Sequence, residues 1–115
     1  MSLIRGVLLA GKFRTQHELN TMSTEDQRNT LIVEMAGRTN QRVPHFQSLD
    51  DAALAGAGAV LVFLRNGRIR TDAELKTISD DDQRNILIVE LGAQTNLPGP
   101  VLQGMSNMDL VLKDY

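Results

Sequence analysis

Apolar residues recur along the chain at the three-and-four spacing of helices, and polar punctuation cuts the pattern into segments. Thr15 with Glu18, and Thr71 with Glu74, match the capping box, in which a hydroxyl and a carboxylate satisfy the free donors of a helix start. Each pair predicts a short helix, ending near Met22 and Ile78. Ser23 with Asp26 and Ser79 with Asp82 repeat the signal at once and open a longer helix that runs to about Arg38 and Gln94. Asn40 and Asn96 then suit a left-handed stop. Pro44 and Pro100 suit the first turn of another short helix. Asp50 or Asp51 opens a helix through Leu54, Val60, Val62 and Leu64, with Gly67 placed to end it. Its counterpart upstream runs from Leu3 to Ala10 and stops at Gly11, and Ser106 with Asp109 begins a last one at 107–113. No alternating run flanked by hairpin turns competes with this all-α reading.

The elements come in pairs because the sequence does. The stretch Arg14 to Asn40 recurs 56 positions later, from Arg70 to Asn96, with 16 of 27 residues identical. The expected architecture is therefore all-α, a tandem duplication of a roughly 56-residue multi-helix unit packed as one compact domain. The first unit spans about 1–56 and the second about 57–115, with the joint helix shared. A chain of 115 residues buries roughly two thirds of its unfolded surface, whereas half of it would be marginal alone. Retention is uneven: positions 41–55 match their counterparts at only three of 15, and positions 1–13 at two of 13. The central helix pair has changed least.

On a wheel of roughly 100° per residue, Leu31, Ile32, Val33, Met35 and Ala36 share the apolar arc of the first long helix. Arg28 and Asn29 fall inside that arc, as do Arg84 and Asn85 in the second. An arginine there needs carboxylates or carbonyls, since an unpaired buried charge is costly. The plainer reading is a structural network, with Arg28 near Glu25 and Asn29 bonding a neighbouring loop; the sharper one is a pocket for a polar ligand. Gln27, Gln83, Glu34 and Glu90 face outward by the same wheel. Candidate binding residues are thus Arg14, Gln27, Arg28, Asn29 and Glu34, repeated at Arg70, Gln83, Arg84, Asn85 and Glu90. Two equivalent surfaces would permit bivalent engagement.

Composition narrows the chemistry. The aromatic residues are few, so the core must be aliphatic, and the absence of cysteine excludes disulfides and thiol chemistry while leaving the compartment open. A net charge of −2 argues against nucleic acid, and Arg65, Arg68 and Arg70 are too short a run to reverse it. The longest apolar run, Ala52 to Leu64, is too short to span a bilayer. The start, Met1 to Gly11, has one basic residue and a five-residue apolar stretch, too short for a signal peptide's central region, and Met1-Ser2-Leu3 has the form of a vector-derived leader. His17 and His45 become Ala73 and Val101 in the second unit, so no repeated histidine chemistry exists. Ser23 and Ser79 are explained by capping, and Asp80-Asp81-Asp82 lacks the alternating spacing of a calcium loop. Gly56 and Gly58 are read as sites of close helix packing. No cofactor or catalytic motif results. The expected function is a non-catalytic binding or protein-interaction module with one surface per unit, taking a protein segment or polar ligand. A structural helical spacer or self-assembly domain is the alternative, and the apolar end at 107–113 leaves homodimerisation open.

Overall fold

A computed structural model describes residues 2–113 and contains nine helices and no strand among them. Met1, Asp114 and Tyr115, the extreme ends of the two expected units, lie outside the described residues. The helices are α1 (Leu3–Ala10), α2 (Gln16–Asn20), α3 (Thr24–Arg38), α4 (Val43–Gln47), α5 (Asp51–Asn66), α6 (Asp72–Leu75), α7 (Asp80–Thr95), α8 (Gly99–Gln103) and α9 (Asn107–Leu112). Local chemistry sets most of their starts. Thr15 and Thr71 each form the full reciprocal capping box with Glu18 and Glu74. Ser2, Ser23, Asp50, Ser79 and Ser106 each accept a backbone N–H three residues on, which satisfies one of the four free donors at a helix start.

Gly11, Gly67 and Asn96 end α1, α5 and α7 as expected, and Asn40 does not end α3. Gly11 and Gly67 cap α1 and α5 in the right-handed region, and the left-handed residue is the next one, Lys12 (φ 56°) and Arg68 (φ 57°). Phe13 N–H then reaches back to Leu8 O and Ile69 N–H to Leu64 O, closing a Schellman turn. Gly11 is small for reasons of space: a Cβ there would stand 2.6 Å from Cε2 of Phe13. Asn96 is left-handed (φ 60°) as the pattern predicts, but Asn40 is not. In the first half α3 stops at Arg38 and Thr39 turns extended, because Asn40 N–H donates instead to Ile78 O across the molecule at 2.9 Å.

α5 is the axis of the molecule, apolar nearly all round and buried at nine positions from Leu54 to Leu64, as a helix surrounded by others must be. α1, α3, α7 and α9 all pack on it, while α4 lies on α3 and α8 on α7. Two glycines let neighbours approach. A Cβ on Gly58 would lie 2.8 Å from Val7 of α1, and one on Gly56 would lie 2.9 Å from Cβ of Asn107 in α9. Gly11 meets Val62 at the same interval, so α1 runs parallel to α5, and all three contacts join positions 51 apart in the chain. The core is a single cluster of aliphatic side chains with Phe13 and Phe46, and the molecule measures 43 × 28 × 25 Å.

Candidate functional site

The D-Q-R-N tetrapeptides at 26–29 and 82–85 each divide into three environments. Gln27 and Gln83 are 6 % and 0 % exposed, which corrects their outward placement on the wheel. The wheel marks a polar stripe, but the turn from α2 into α3 folds back over that stripe and seals it. Within it, Gln27 Nε2 donates to Leu19 O at 3.3 Å, and Gln83 Nε2 donates to Leu75 O at 3.2 Å. Gln83 Oε1 is buried without a hydrogen-bond partner among the described residues, a debt of about 1–3 kcal/mol for an unsatisfied acceptor.

Arg28 leaves the core side and lies half-buried over the loop between α4 and α5, not beside Glu25. Its guanidinium donates to Leu49 O at 2.6 Å, Gln47 O at 3.2 Å and Asp51 Oδ1 at 2.7 Å. Arg84 does the same between α8 and α9, donating to Met105 O, Gln103 O and Asn107 Oδ1 at 2.7, 2.8 and 2.7 Å. Five donors in a fixed fork suit three acceptors that a compact ammonium could not span. The two arginines thus clip the end of one short helix to the start of the next long one.

Asn29 and Asn85, placed in the apolar arc by the wheel, are exposed, and neither side chain forms a hydrogen bond among the described residues. They stand on an outward stripe with Asp26, Val33 and Gly37 on α3, and with Asp82, Val89 and Ala93 on α7, every member of which is exposed. Val33 is 63 % exposed and Val89 71 %. The valines belong to the identical Leu-Ile-Val-Glu segments, whose Leu and Ile are buried. This stripe is the feature that the wheel missed: placing Val33 with the core followed from its hydrophobicity alone.

Glu34 and Arg14 meet, but their counterparts do not. Glu34 accepts from Arg38 Nε at 3.0 Å and from Arg14 Nη1 at 3.4 Å, and the Arg38 guanidinium lies 4.6 Å from the centre of the Phe13 ring. Arg70 instead donates to Ile69 O, and Glu90 forms no ion pair among the described residues, since Gln94 stands where Arg38 does in the first half. Beside this cluster a groove of about 330 Å³ runs between α3 and α6, lined by Val33, Glu34, Gly37, Arg38, Asp72 and Lys76. A second, largely apolar groove of about 580 Å³ opens over α1, α5 and α9, with Leu3, Val7, Val62, Phe63, Met108 and Val111 in its wall.

Two carboxyls in equivalent positions have displaced proton affinities. The Thr15 and Thr71 caps hold the Glu18 and Glu74 carboxyls below the usual glutamate range, chiefly through the backbone N–H that each receives. His45 Nε2 lies 3.1 Å from both oxygens of Asp80, a contact between the two halves of the chain. Among the described residues no group of three His, Asp or Glu side chains converges as a metal site, and no helix is long and apolar enough to cross a membrane. No family model, curated protein or solved structure matches this chain.

Proposed function

We propose that the chain is a tandem duplication of a roughly 56-residue helical unit and serves as a non-catalytic protein-interaction module with one equivalent surface per unit. The observation that carries this reading is the outward stripe. Asn29 and Val33 are identical to Asn85 and Val89, at positions where water would tolerate almost any side chain. A single exposed valine needs no explanation. Two at equivalent positions, each one turn from an unbonded asparagine, form a recognisable pattern, and they persist while the segment after α3 has diverged.

The chemistry favours an extended protein segment as partner. A side-chain amide offers one acceptor and two donors and so matches the N–H and C=O of a peptide unit, while the valine supplies an apolar contact beside it. On the surface beside Val33, the mixed charges of the groove, Glu34 and Arg38 with Asp72 and Lys76, give that segment an orientation. Arg28, Arg84, Gln27 and Gln83 act on this surface from behind, by fixing the helices that carry it.

Selection from a library of random peptides tests the reading. Asn29→Ala with Val33→Ser, and Asn85→Ala with Val89→Ser, change only exposed side chains. Peptides that bind the parent at two sites are expected to occupy one site in either pair variant, and to lose about tenfold or more in affinity to all four changes together. If no selected peptide depends on these residues, the proposal fails. A second reading, a self-assembly domain, draws on the apolar groove and the two ends of the helix array.

A further inference from the structure

Apart from the packing on α5, the segment after α3 meets the turn before α7 through a small set of polar contacts. Asn40 N–H donates to Ile78 O at 2.9 Å, Asn40 Nδ2 lies 3.4 Å from Thr77 O, and His45 Nε2 meets the Asp80 carboxylate at 3.1 Å. Each participant has a counterpart outside this seam. On the trailing face, Asn96 stands for Asn40 and Val101 for His45. On the leading face, Thr21, Met22 and Thr24 stand for Thr77, Ile78 and Asp80.

We propose that these two faces join, so that the chain stacks head to tail on a second copy of itself as its first unit stacks on its second. The inference rests on reading the two halves as equivalent units. Three observations support it beyond that equivalence.

The first is charge. The internal seam pairs an imidazole with a carboxylate, and the outer faces replace both, with Val101 opposite Thr24. A change on only one side would strand a charge in the joint, whereas this matched pair strands none. The second is hydrogen bonding. Asn96 N–H has no acceptor among the described residues, and Met22 O, the counterpart of Ile78 O, receives only a 3.4 Å contact from Gln27 Nε2. In the second unit Ile78 O is occupied by Asn40, and Gln83 reaches Leu75 O alone. The donor on one face and the acceptor on the other are thus the pair that the seam requires.

The third is where apolar surface remains. Leu3 is 48 % exposed at the start of α1, the first helix of the array, and Val101 and Leu112 are 51 % and 61 % exposed in α8 and α9, the last two. These are three of the five exposed large hydrophobic residues among the described residues, and the other two are the stripe valines. Joining a trailing to a leading face is a heterologous contact, which leaves a free face at each end and so extends to longer stacks.

Sedimentation of the full chain over a range of concentrations, with Thr24→Lys and Val101→Lys variants, tests the proposal. Both substitutions fall on exposed positions. The parent is expected to grow into elongated dimers and longer stacks, and each variant alone to stay monomeric. An equimolar mixture of the two variants is expected to form a 1:1 heterodimer and nothing larger, because one intact face remains on each. A chain carrying Val101→His with Thr24→Asp restores the seam pair and is expected to associate at lower concentration than the parent. A parent and a His–Asp chain that are both monomeric throughout would overturn the proposal, as would a variant that dimerises alone. Peptide binding measured on the same samples separates this failure from that of the interaction-module reading: a monomer that still binds peptide loses only the stacking.

Discussion

Replacing Arg28 and Arg84 together by alanine tests whether the repeated arginines are structural. Each guanidinium bridges three acceptors, two of them main-chain carbonyls at the end of a short helix. A hydrogen bond of this kind contributes about 1 kcal/mol net, and more when the donor is charged and the acceptor is sheltered. The third acceptor of Arg28, Asp51, is 73 % exposed, so the ion pair itself adds little. Counting two effective bonds per arginine gives about 2 kcal/mol for each and about 4 kcal/mol for both, since the sites share no partner and should add. That is a large share of the 5–15 kcal/mol expected for a domain of this size. In a urea titration with a slope near 2 kcal/mol/M, the midpoint should fall by about 2 M with the slope unchanged. Asp51→Asn is the control. Asn107 already fills that place opposite Arg84, so its cost should stay under about 0.5 kcal/mol. A double-variant loss below about 1 kcal/mol would refute the argument and show that water replaces these bonds.

Two further outcomes follow from the helix ends. Lys12 and Arg68 hold left-handed backbone that costs a residue with a Cβ about 1–2 kcal/mol, so Lys12→Gly with Arg68→Gly should stabilise the chain by about 1 kcal/mol by thermal or urea unfolding, net of glycine's greater freedom when unfolded; a loss would show that the following turn, not the left-handed residue, limits the stop. Glu18 and Glu74 have carboxyls held low in the folded state, so their capping contribution is complete above the ordinary glutamate range and fades as pH drops through the folded values. Glu18→Gln with Glu74→Gln keeps the box but removes the titration. Its stability should therefore decline less steeply in acid than the parent's, and parallel curves would contradict the assignment.

What could be read from the sequence was what is local. The capping boxes, the Ser23 and Ser79 starts, the prolines at the first turns and the extent of α5 each depend on residues within a few positions, and each appears where the pattern places it. The side chains of the long helices were misplaced because a wheel knows hydrophobicity but not neighbours. Gln27 looks solvated until α2 closes over it. Arg28 looks buried until the loop at 47–51 supplies carbonyls at a separation of about twenty residues. Val33 looks like core, yet it stands exposed at the open groove between α3 and α6. Asn40 and Asn96 each follow a threonine, but the chain after them differs, and they take different backbone conformations: Asn40 N–H reaches Ile78 O across the molecule, whereas Asn96 is left-handed.

The position of α5 has a consequence for how this molecule can be divided. The period of the sequence would cut the chain near residue 56, in the middle of the most deeply buried helix, between Leu54 and Val60. Both α1–α3 and α7–α9 lean on that helix, so neither side has a core of its own to retreat into when the other opens. The interval at which the sequence recurs is therefore out of phase with the body that melts. Unfolding should behave as one cooperative event although the sequence reads as two. A single hinge pin holds both leaves of the door, and removing either leaf leaves the pin exposed to water.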